Sequence, residues 1–406
     1  MEATPRGMRL FIAIFGRRNA GKSSLINALT KQDIALVSPV PGTTTDPVYK
    51  SMEILPIGPV VLIDTAGIDD EGDLGKLRVE RTKAVLNTTD LALLIIDPML
   101  GFGDWERQLV DLIKAKGIPV VGVMNKADLG NRMDLVALSN SCGIPFLPVS
   151  ALTGAGIQDL KMEIIRSAPK ELMEQVIIGD LLQAEDLVVL VVPIDSAAPK
   201  GRLILPQVQV LRDLLDHRCM AVVVQPEQLP LLFAMGFKPR LVVTDSQAFA
   251  QVNRDTPPGV QITSFSILFA RYKGDLSSLV AGAKAIERLR PGDRVLIAEA
   301  CTHHRVKDDI GTVKLPKWLK DKVGGELDFE WSSGQGFPPN LEVYNLVIHC
   351  GACMINRREM LFRIMETRKA GVPIVNYGIA IAHLHGILQR ALAPFPQLQK
   401  ILEGDL

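Results

Sequence analysis

The chain has 406 residues, too many for one compact core, so two or three domains are expected. Hydrophobic residues make up 47% and charged residues 22%, as in a globular protein, and 45 basic and 45 acidic side chains give a net charge of zero. That balance excludes a strong overall field for nucleic acid or anionic membrane. The opening residues, MEATPRGMRLFIAIFG, hold only a short apolar run, which predicts a strand rather than a signal peptide, and no run approaches the ~18 residues of a membrane span. We expect a cytoplasmic protein with no membrane contact.

The first motif binds phosphate. The segment LFIAIFGRRNAGKSSLINALT predicts a strand, a glycine-rich turn and a helix, and it fits G-x-x-x-x-G-K-[ST] without mismatch. In this motif the glycines let backbone N–H groups surround a polyphosphate at the helix N-terminus, Lys22 reaches the terminal phosphates, and the Ser23 hydroxyl binds Mg²⁺. The predicted cradle consists of Gly16, Asn19, Ala20, Gly21, Lys22, Ser23 and Ser24.

Three further motifs follow in order, each at the end of an apolar strand. In VVLIDTAG, Asp64 can hold Mg²⁺ through water, and Gly67 lies next to the γ-phosphate. In VVGVMNKADLG, Asp128 can accept two hydrogen bonds from guanine, a pattern that adenine cannot match. The other predicted guanine-binding residues are Asn125, Lys126, Ser150 and Ala151, the last two from PVSALTG. The four motifs together predict a GTP site with Mg²⁺.

These motifs resemble the Ras-like GTPases of the TrmE–Era branch. PGTTTD is similar to the first switch of that group, with Thr45 in place of an arginine, and the resemblance implies that Thr44, or less well Thr43, binds Mg²⁺. Ile68 stands where Ras-type enzymes keep a water-orienting glutamine, so slow intrinsic hydrolysis is expected. The predicted catalytic residues are Lys22, Thr44, Asp64 and Gly67. Asn19 matches the asparagine with which potassium-stimulated members bind K⁺.

The GTPase domain is predicted to span residues 1–170 and to end with an amphipathic helix that Pro169 follows. Strand-like apolar runs then alternate with helix-like segments, EDLVVLVVPID being the first, over roughly residues 178–262. This alternation is typical of a small doubly wound α/β domain. This segment contains no group of residues of a catalytic type, which indicates a role in contact between subunits.

The last part, residues 263–406, holds three of the five cysteines, and each lies near the end of a strand-like run. Cys301 follows DRVLIAEA, and Cys350 and Cys353 follow VYNLVIH. Because ligands gather at the carboxyl ends of parallel strands, we expect these cysteines to converge with His303 and His349. Three thiolates and a histidine fit either tetrahedral zinc or an iron–sulfur cluster. A redox disulfide between Cys350 and Cys353, or buried core cysteines, are the alternatives.

The pattern C-x-H, 45 residues, then H-C-x-x-C, downstream of such a GTPase domain, resembles the HydF family, the scaffold proteins of iron-only (FeFe) hydrogenase maturation. The segment VVPIDSAAPKGRLILPQVQVLRD is also similar to that family. The resemblance implies a homodimer through the middle domain and a 4Fe–4S cluster on Cys301, Cys350 and Cys353. It leaves the fourth ligand exchangeable, with His303 and His349 as candidates ahead of Asp308 or Asp309.

The resulting prediction is a three-domain α/β protein: a P-loop GTPase domain followed by two smaller parallel-sheet domains. It would accept a diiron precursor from two radical-SAM maturases and deliver it to apo FeFe-hydrogenase. The alternative is an RNA-linked GTPase, acting in tRNA modification or ribosome assembly, with a structural zinc site. The zero net charge and the lack of an aromatic–basic stripe disfavour nucleic acid as a partner.

Overall fold

A computed structural model of the chain describes residues 6–30, 48–65, 75–130, 133–170, 175–194, 203–300, 309–334 and 336–403. Its contacts divide the chain into two compact units, Met1–Glu174 and Gln175–Leu406. Each unit is built from mainly parallel sheet and helices, which confirms the predicted α/β class. Within the described ranges, no helix combines the length and the apolar character needed to cross a bilayer.

The N-terminal unit contains a six-stranded sheet in the order β2-β3-β1-β4-β5-β6, in which only β2 runs antiparallel to its neighbour. Its strands are β1 (Leu10–Gly16), β2 (Val48–Ile54), β3 (Gly58–Asp64), β4 (Leu91–Ile96), β5 (Val120–Met124) and β6 (Phe146–Pro148). The apolar runs LFIAIFG and LALLII are buried throughout, as expected of central strands covered on both faces. All the parallel strands therefore point their carboxyl ends to one edge.

The helices of this unit are α1 (Lys22–Thr30), α2 (Gly75–Thr88), α3 (Asp104–Ala115), α4 (Leu135–Cys142) and α5 (Ile157–Ser167). Local sequence sets several of their ends. The Asp134 carboxylate accepts hydrogen bonds from the N–H groups of Val136 and Ala137, both at 3.0 Å, and so caps α4. Helix α5 buries Ile157, Leu160 and Ile164 and ends before Pro169, as the amphipathic pattern predicted.

The C-terminal unit begins with a four-stranded parallel sheet in the order β10-β9-β7-β8. Its strands are β7 (Leu187–Val191), β8 (Met220–Val224), β9 (Leu241–Thr244) and β10 (Gln261–Ser264). Helices α6 (Leu205–Asp216), α7 (Leu229–Ala234) and α8 (Phe249–Asp255) connect them. The predicted alternation of strand and helix is present, and the predicted boundary after residue 262 falls within β10.

A second parallel sheet follows, in the order β12-β11-β13-β14. Its strands are β11 (Arg294–Glu299), β12 (Asp328–Ser333), β13 (Leu346–His349) and β14 (Ile374–Asn376). The helices of this part are α9 (Phe265–Lys273), α10 (Leu276–Ala283), α11 (Leu315–Val323), α12 (Arg357–Lys369), α13 (Tyr377–Leu384), α14 (Leu388–Ala391) and α15 (Pro396–Glu403). Strand β12, DFEWSS, is polar and largely exposed at the sheet edge, so the hydrophobic pattern did not predict it.

One hydrophobic core runs through both sheets of this unit. Helix α9 contributes Phe265 and Phe269, which are fully buried in that core. The helix after the C-x-x-C motif begins at Arg357, beyond the turn that holds Cys353. Asn356 caps α12 by accepting a hydrogen bond from the Glu359 N–H at 3.1 Å, so Cys353 lies in the preceding turn.

Candidate functional site

The phosphate-binding turn connects β1 to α1. Gly21 has a φ of +90°, and a Cβ placed there would lie 2.1 Å from Asn125 Nδ2, so only glycine fits. The ammonium of Lys22 is buried and donates hydrogen bonds to the carbonyl oxygens of Gly16 and of Arg17, the latter at 3.1 Å. Asn19 is exposed and has a φ of +61°. The turn thus has the left-handed positions that aim successive backbone N–H groups at an anion.

Two of the predicted magnesium residues meet where α1 begins and β3 ends. Ser23 Oγ donates a hydrogen bond to Asp64 Oδ2 at 2.8 Å, which places a hydroxyl and a carboxylate side by side. Oxygen ligands of this kind are the ones that Mg²⁺ prefers, so the pair fits the ion.

The predicted guanine-binding residues come together around Asn125. Its Nδ2 donates to the carbonyl of Ala20 at 3.0 Å, and its Oδ1 accepts from the Ala151 N–H at 3.1 Å, so it joins the phosphate turn to the loop after β6. Ser150 is buried and accepts a hydrogen bond from the Thr153 N–H. Asp128 is exposed and lines a cavity beside Asn125, so its carboxylate is accessible to solvent.

A cavity of about 690 Å³ lies between these motifs. It is lined by Gly21, Ser24, Asn27, Ala28, Asn125, Lys126, Asp128, Leu129, Ala151 and Leu152. Its lining therefore includes members of the phosphate turn and of both base-reading motifs, which the sequence predicted to act together.

Sequence reasoning missed Asp97 at the end of β4. Its Oδ2 accepts a hydrogen bond from Lys126 Nζ at 2.6 Å. Burial alone would raise the pKa of the Asp97 carboxyl, but the bonds from Lys126 and from the Met99 N–H hold that pKa below its ordinary value. The stem of Lys126 is thereby fixed along the cavity. A lone aspartate directly after the apolar run LALLII was the available signal.

A second missed contact ties the phosphate turn to α3. Arg17 and Glu106 form a two-pronged ion pair, Nε–Oε1 at 2.6 Å and Nη2–Oε2 at 3.0 Å. Glu106 also accepts the Gly103 N–H at 2.9 Å and so caps its own helix. The ion pair therefore holds the phosphate turn against helix α3.

The predicted site residues Thr44, Gly67, Cys301 and His303 lie outside the described residues, as do the alternative candidates Thr43 and Asp308. Their predicted roles stay predictions. The other predicted residues of the C-terminal site, Cys350, Cys353 and His349, lie at or just after the carboxyl end of β13, next to β11.

Cys350 is joined directly to the end of β11. Its Sγ accepts a hydrogen bond from the Ala300 N–H at 3.1 Å, and Ala300 directly precedes Cys301 in the sequence. Burial raises the pKa of the Cys350 thiol to about 11, with the charges of Cys353 and Glu299 adding to the rise and the Ala300 and Ala352 N–H groups opposing it. Ala352 has a φ of +55°, a left-handed conformation that costs a residue with a side chain roughly 1–2 kcal/mol. Two backbone amides, one from Ala300 after β11 and one from Ala352 in the CGAC turn, thus point at one sulfur.

His349 is fully buried, and both of its ring nitrogens have partners. Nδ1 lies 2.9 Å from the Cys350 carbonyl, which can only accept, so Nδ1 carries the proton. Nε2 then accepts from Arg363 Nη1 at 3.1 Å. Burial and the positive charge of Arg363 lower the pKa of His349 to about 3. Metal ligation by His349 would require one of these two hydrogen bonds to break.

Arg363 lies at the centre of that network and is itself fully buried. Its Nε pairs with Glu359 Oε1 at 3.0 Å, its Nη2 donates to the Gly334 carbonyl at 2.8 Å, and its guanidinium lies 5.2 Å from the Phe337 ring centroid. The i, i+4 spacing of Glu359 and Arg363 on α12 was the signal that sequence reasoning overlooked.

Two more buried polar groups stand at this edge. Tyr377 OH donates to Glu299 Oε1 at 3.2 Å, and a Cβ at Gly311 would come within 2.3 Å of that hydroxyl. Burial, followed by the charges of Cys350 and Glu299, raises the pKa of Tyr377 well above its ordinary value. Asp309 accepts hydrogen bonds from the N–H and hydroxyl of Thr312 at 2.9 and 3.0 Å.

The side chains at this sheet edge are chemically of the kind that can hold a metal cluster. Among the described residues, which include His349, Cys350 and Cys353 but not Cys301 or His303, no three His, Cys, Asp or Glu side chains form a metal-binding group. Cys350 and Cys353 nevertheless supply two sulfurs on one turn, and hydrogen bonds from backbone amides to a sulfur are a means by which proteins tune iron–sulfur clusters.

Two family models of one kind match nearly all of the C-terminal unit. The hydrogen maturase F dimerization domain matches residues 177–274, and the hydrogen maturase F tetramerization domain matches residues 277–394. The chain belongs to the hydrogen maturase F family. A third model, described as a 50S ribosome-binding GTPase, matches residues 11–126. The first two models confirm the resemblance to HydF, and the third confirms the predicted GTPase domain.

Curated relatives match shorter stretches. The tRNA modification GTPase MnmE of Aquifex aeolicus (strain VF5) is 39% identical over 166 residues, 41% of this chain and 36% of the relative. GTPase Der of Kosmotoga olearia (strain ATCC BAA-1733 / DSM 21960 / TBF 19.5.1) is 35% identical over 174 residues, 40% of this chain and 39% of the relative. The chain thus spans little more than a third of the length of these relatives. The solved G domain of the FeoB iron transporter of T. maritima is 25% identical, with a TM-score of 0.32, over 39% of this chain and 98% of that domain.

Proposed function

We propose that this chain is a GTP-hydrolysing scaffold that holds a 4Fe–4S cluster, accepts a diiron precursor as cargo and delivers it to apo FeFe-hydrogenase. The observation that carries the proposal is the hydrogen bond from the Ala300 N–H to Cys350 Sγ, within a chain of the hydrogen maturase F family. It joins the end of the strand before Cys301 to the turn that carries Cys350 and Cys353. The two radical-SAM maturases that supply the cargo belong to the proposal.

Cys301, Cys350 and Cys353 would hold the cluster. When bound, a cluster on three cysteines supplies an iron whose remaining ligand can be exchanged. The protein's own part is to present the sulfurs: strands β11 and β13 pair in parallel register, with Ala298 opposite His349. Of the proposed fourth ligands, His303 lies outside the described residues, whereas His349 would first have to release Arg363 or the Cys350 carbonyl.

The GTPase domain would act as the switch. Lys22 and the turn around it bind the phosphates, Ser23 and Asp64 hold Mg²⁺ together with Thr44, and Asp128 reads guanine. We assign no catalytic glutamine, because Ile68 follows Gly67 in the sequence. Hydrolysis would change the affinity for partner proteins.

Self-association through the middle part agrees with the matched dimerization domain. Strand β8 is a sheet edge and exposes Met220 and Val223, and nearby segments of the same fold expose Leu215, Leu231 and Met235. Exposed apolar side chains beside an open strand edge are a surface that a second copy can cover. We place the homodimer contact here.

The cluster is tested by anaerobic reconstitution with iron and sulfide. The wild-type chain should bind about four irons and give an EPR signal after reduction. Replacing Cys301, Cys350 or Cys353 with alanine should remove most of the iron, whereas Cys142→Ala, which alters a cysteine of the N-terminal unit, should leave it unchanged. Wild-type protein that takes up zinc but no iron, and that binds RNA, would favour the RNA-linked alternative.

Potassium is tested separately. If Asn19 binds K⁺ beside the phosphates, replacing KCl by NaCl should lower GTP turnover about tenfold or more, because a positive charge near the transferred phosphate is lost. Asn19→Ala should abolish the difference between the salts. Equal turnover of the wild-type chain in KCl and NaCl would remove the potassium assignment.

A further inference from the structure

A buried lysine reaches the turn that carries the two cysteines. Lys273 is the last residue of α9, and its side chain is almost completely removed from solvent. Its Nζ donates hydrogen bonds to the carbonyl oxygens of Ile355 at 2.8 Å, Ala352 at 3.0 Å and Cys353 at 3.2 Å. The three donors of the ammonium are thus all used on a single short segment.

The charge of this lysine has no ordinary partner. Among the described residues, no carboxylate forms an ion pair with Lys273, and the groups beside it that can become anions are the thiols of Cys353 and Cys350. A buried ammonium without a counter-charge is costly, so a protein that keeps one there gains from an anion that arrives later.

The contact is reciprocal. Arg357, the first residue of α12, donates from Nη1 to the carbonyl of Tyr272 at 2.7 Å and to that of Gly274 at 3.2 Å. The end of α9 therefore holds the cysteine turn through Lys273, while the segment after the turn holds the end of α9 through Arg357. Two cations fix the position of the turn relative to the helix.

We propose that Lys273 is a positioning residue for the cysteine turn and the fixed counter-cation of the thiolates and cluster that the turn would carry. Metal binding requires the thiols to lose their protons, which places negative charge next to the ammonium. The three carbonyl contacts hold the left-handed turn at Ala352, whose amide points at Cys350. This inference rests on the proposed cluster site.

The test compares reconstituted proteins by iron content, EPR and redox titration of the cluster. Reduction adds one electron, and a fixed positive charge stabilises the more negative form of the cluster. Lys273→Met, which removes the charge and keeps the length, should shift the midpoint potential to more negative values and speed iron loss to a chelator several-fold. Lys273→Arg, which keeps the charge, should hold the midpoint potential near that of the wild type.

The control is Lys369→Met, which removes an exposed lysine that pairs with Glu366 on α12. It should match the wild type in every measurement. If Lys273→Met does not fold, Lys273→Gln takes its place, since an amide still donates a hydrogen bond but carries no charge, and the same negative shift is expected. An unchanged midpoint potential and an unchanged rate of iron loss in the neutral variants would overturn the role of Lys273 while the cluster site stands. A wild-type chain that binds no iron would overturn both.

Discussion

Replacing Arg363 with methionine should lower the free energy of unfolding of the C-terminal unit by about 3–5 kcal/mol, because it breaks a buried ion pair and leaves Glu359 without its counter-charge. Glu359 would lose the guanidinium that lies 3.0 Å away, and the Gly334 carbonyl and His349 Nε2 would each lose a donor. Burial already raises the pKa of Glu359 against the influence of Arg363, so this carboxyl would become neutral more readily. Urea and thermal unfolding, followed by circular dichroism, measure the loss.

The matched control for this change is Arg368→Met. Arg368 lies on the same helix, α12, but is exposed, so its replacement should change the free energy of unfolding by less than about 0.5 kcal/mol. Equal stabilities of the two variants would show that the Arg363 network contributes nothing net.

The same network has a pH signature. The pKa of His349 is about 3 in the folded chain and 6.5 is its ordinary value, so between these pH values the unfolded chain binds a proton that the folded chain does not. The contribution of His349 to the free energy of unfolding is therefore fully present above its ordinary pKa. It decreases as the pH drops, by roughly 2 kcal/mol at pH 5. Because the charge of Arg363 is one cause of the low pKa, this pH dependence should be weaker in Arg363→Met.

Replacing Lys22 with methionine should reduce GTP turnover about 100- to 1000-fold. The ammonium is held in the phosphate turn by the carbonyls of Gly16 and Arg17, ready to contact the terminal phosphates, and methionine has similar length but no charge. Phosphate release under saturating GTP measures the effect. Iron content after reconstitution should stay at the wild-type level, because the phosphate turn and the cysteine turn lie in different compact units.

Lys114→Met is the control for Lys22. Lys114 also lies in the N-terminal unit and donates to the Cys142 carbonyl at 2.6 Å, but at the surface and away from the cavity lining, so its loss should change turnover less than twofold. Turnover in Lys22→Met that stays near the wild-type value would contradict the assignment of the phosphate site.

Local sequence patterns were sufficient to predict a large part of the secondary structure of this protein. The spacing of Gly16, Gly21, Lys22 and Ser23, and the apolar run before each motif, predicted strand, turn and helix correctly because the backbone geometry of the motif is local. The same holds for the strands before Cys301 and Cys350, whose convergence followed from the rule that parallel strands share a carboxyl edge. Strand β12 escaped prediction because an exposed edge strand needs no apolar alternation.

What only the tertiary structure decided is where the buried charges lie. Nothing in FSILFARYK shows that Lys273 crosses to the carbonyls of Ala352 and Ile355, about 80 residues further along the chain. His349 appeared from its place beside Cys350 to be a ligand, yet its ring nitrogens are bonded to Arg363 and to the Cys350 carbonyl. A sequence motif reveals groups that act together within one turn of backbone. The energy of a buried charge depends instead on every element packed around it, and that packing exists only after the chain has folded.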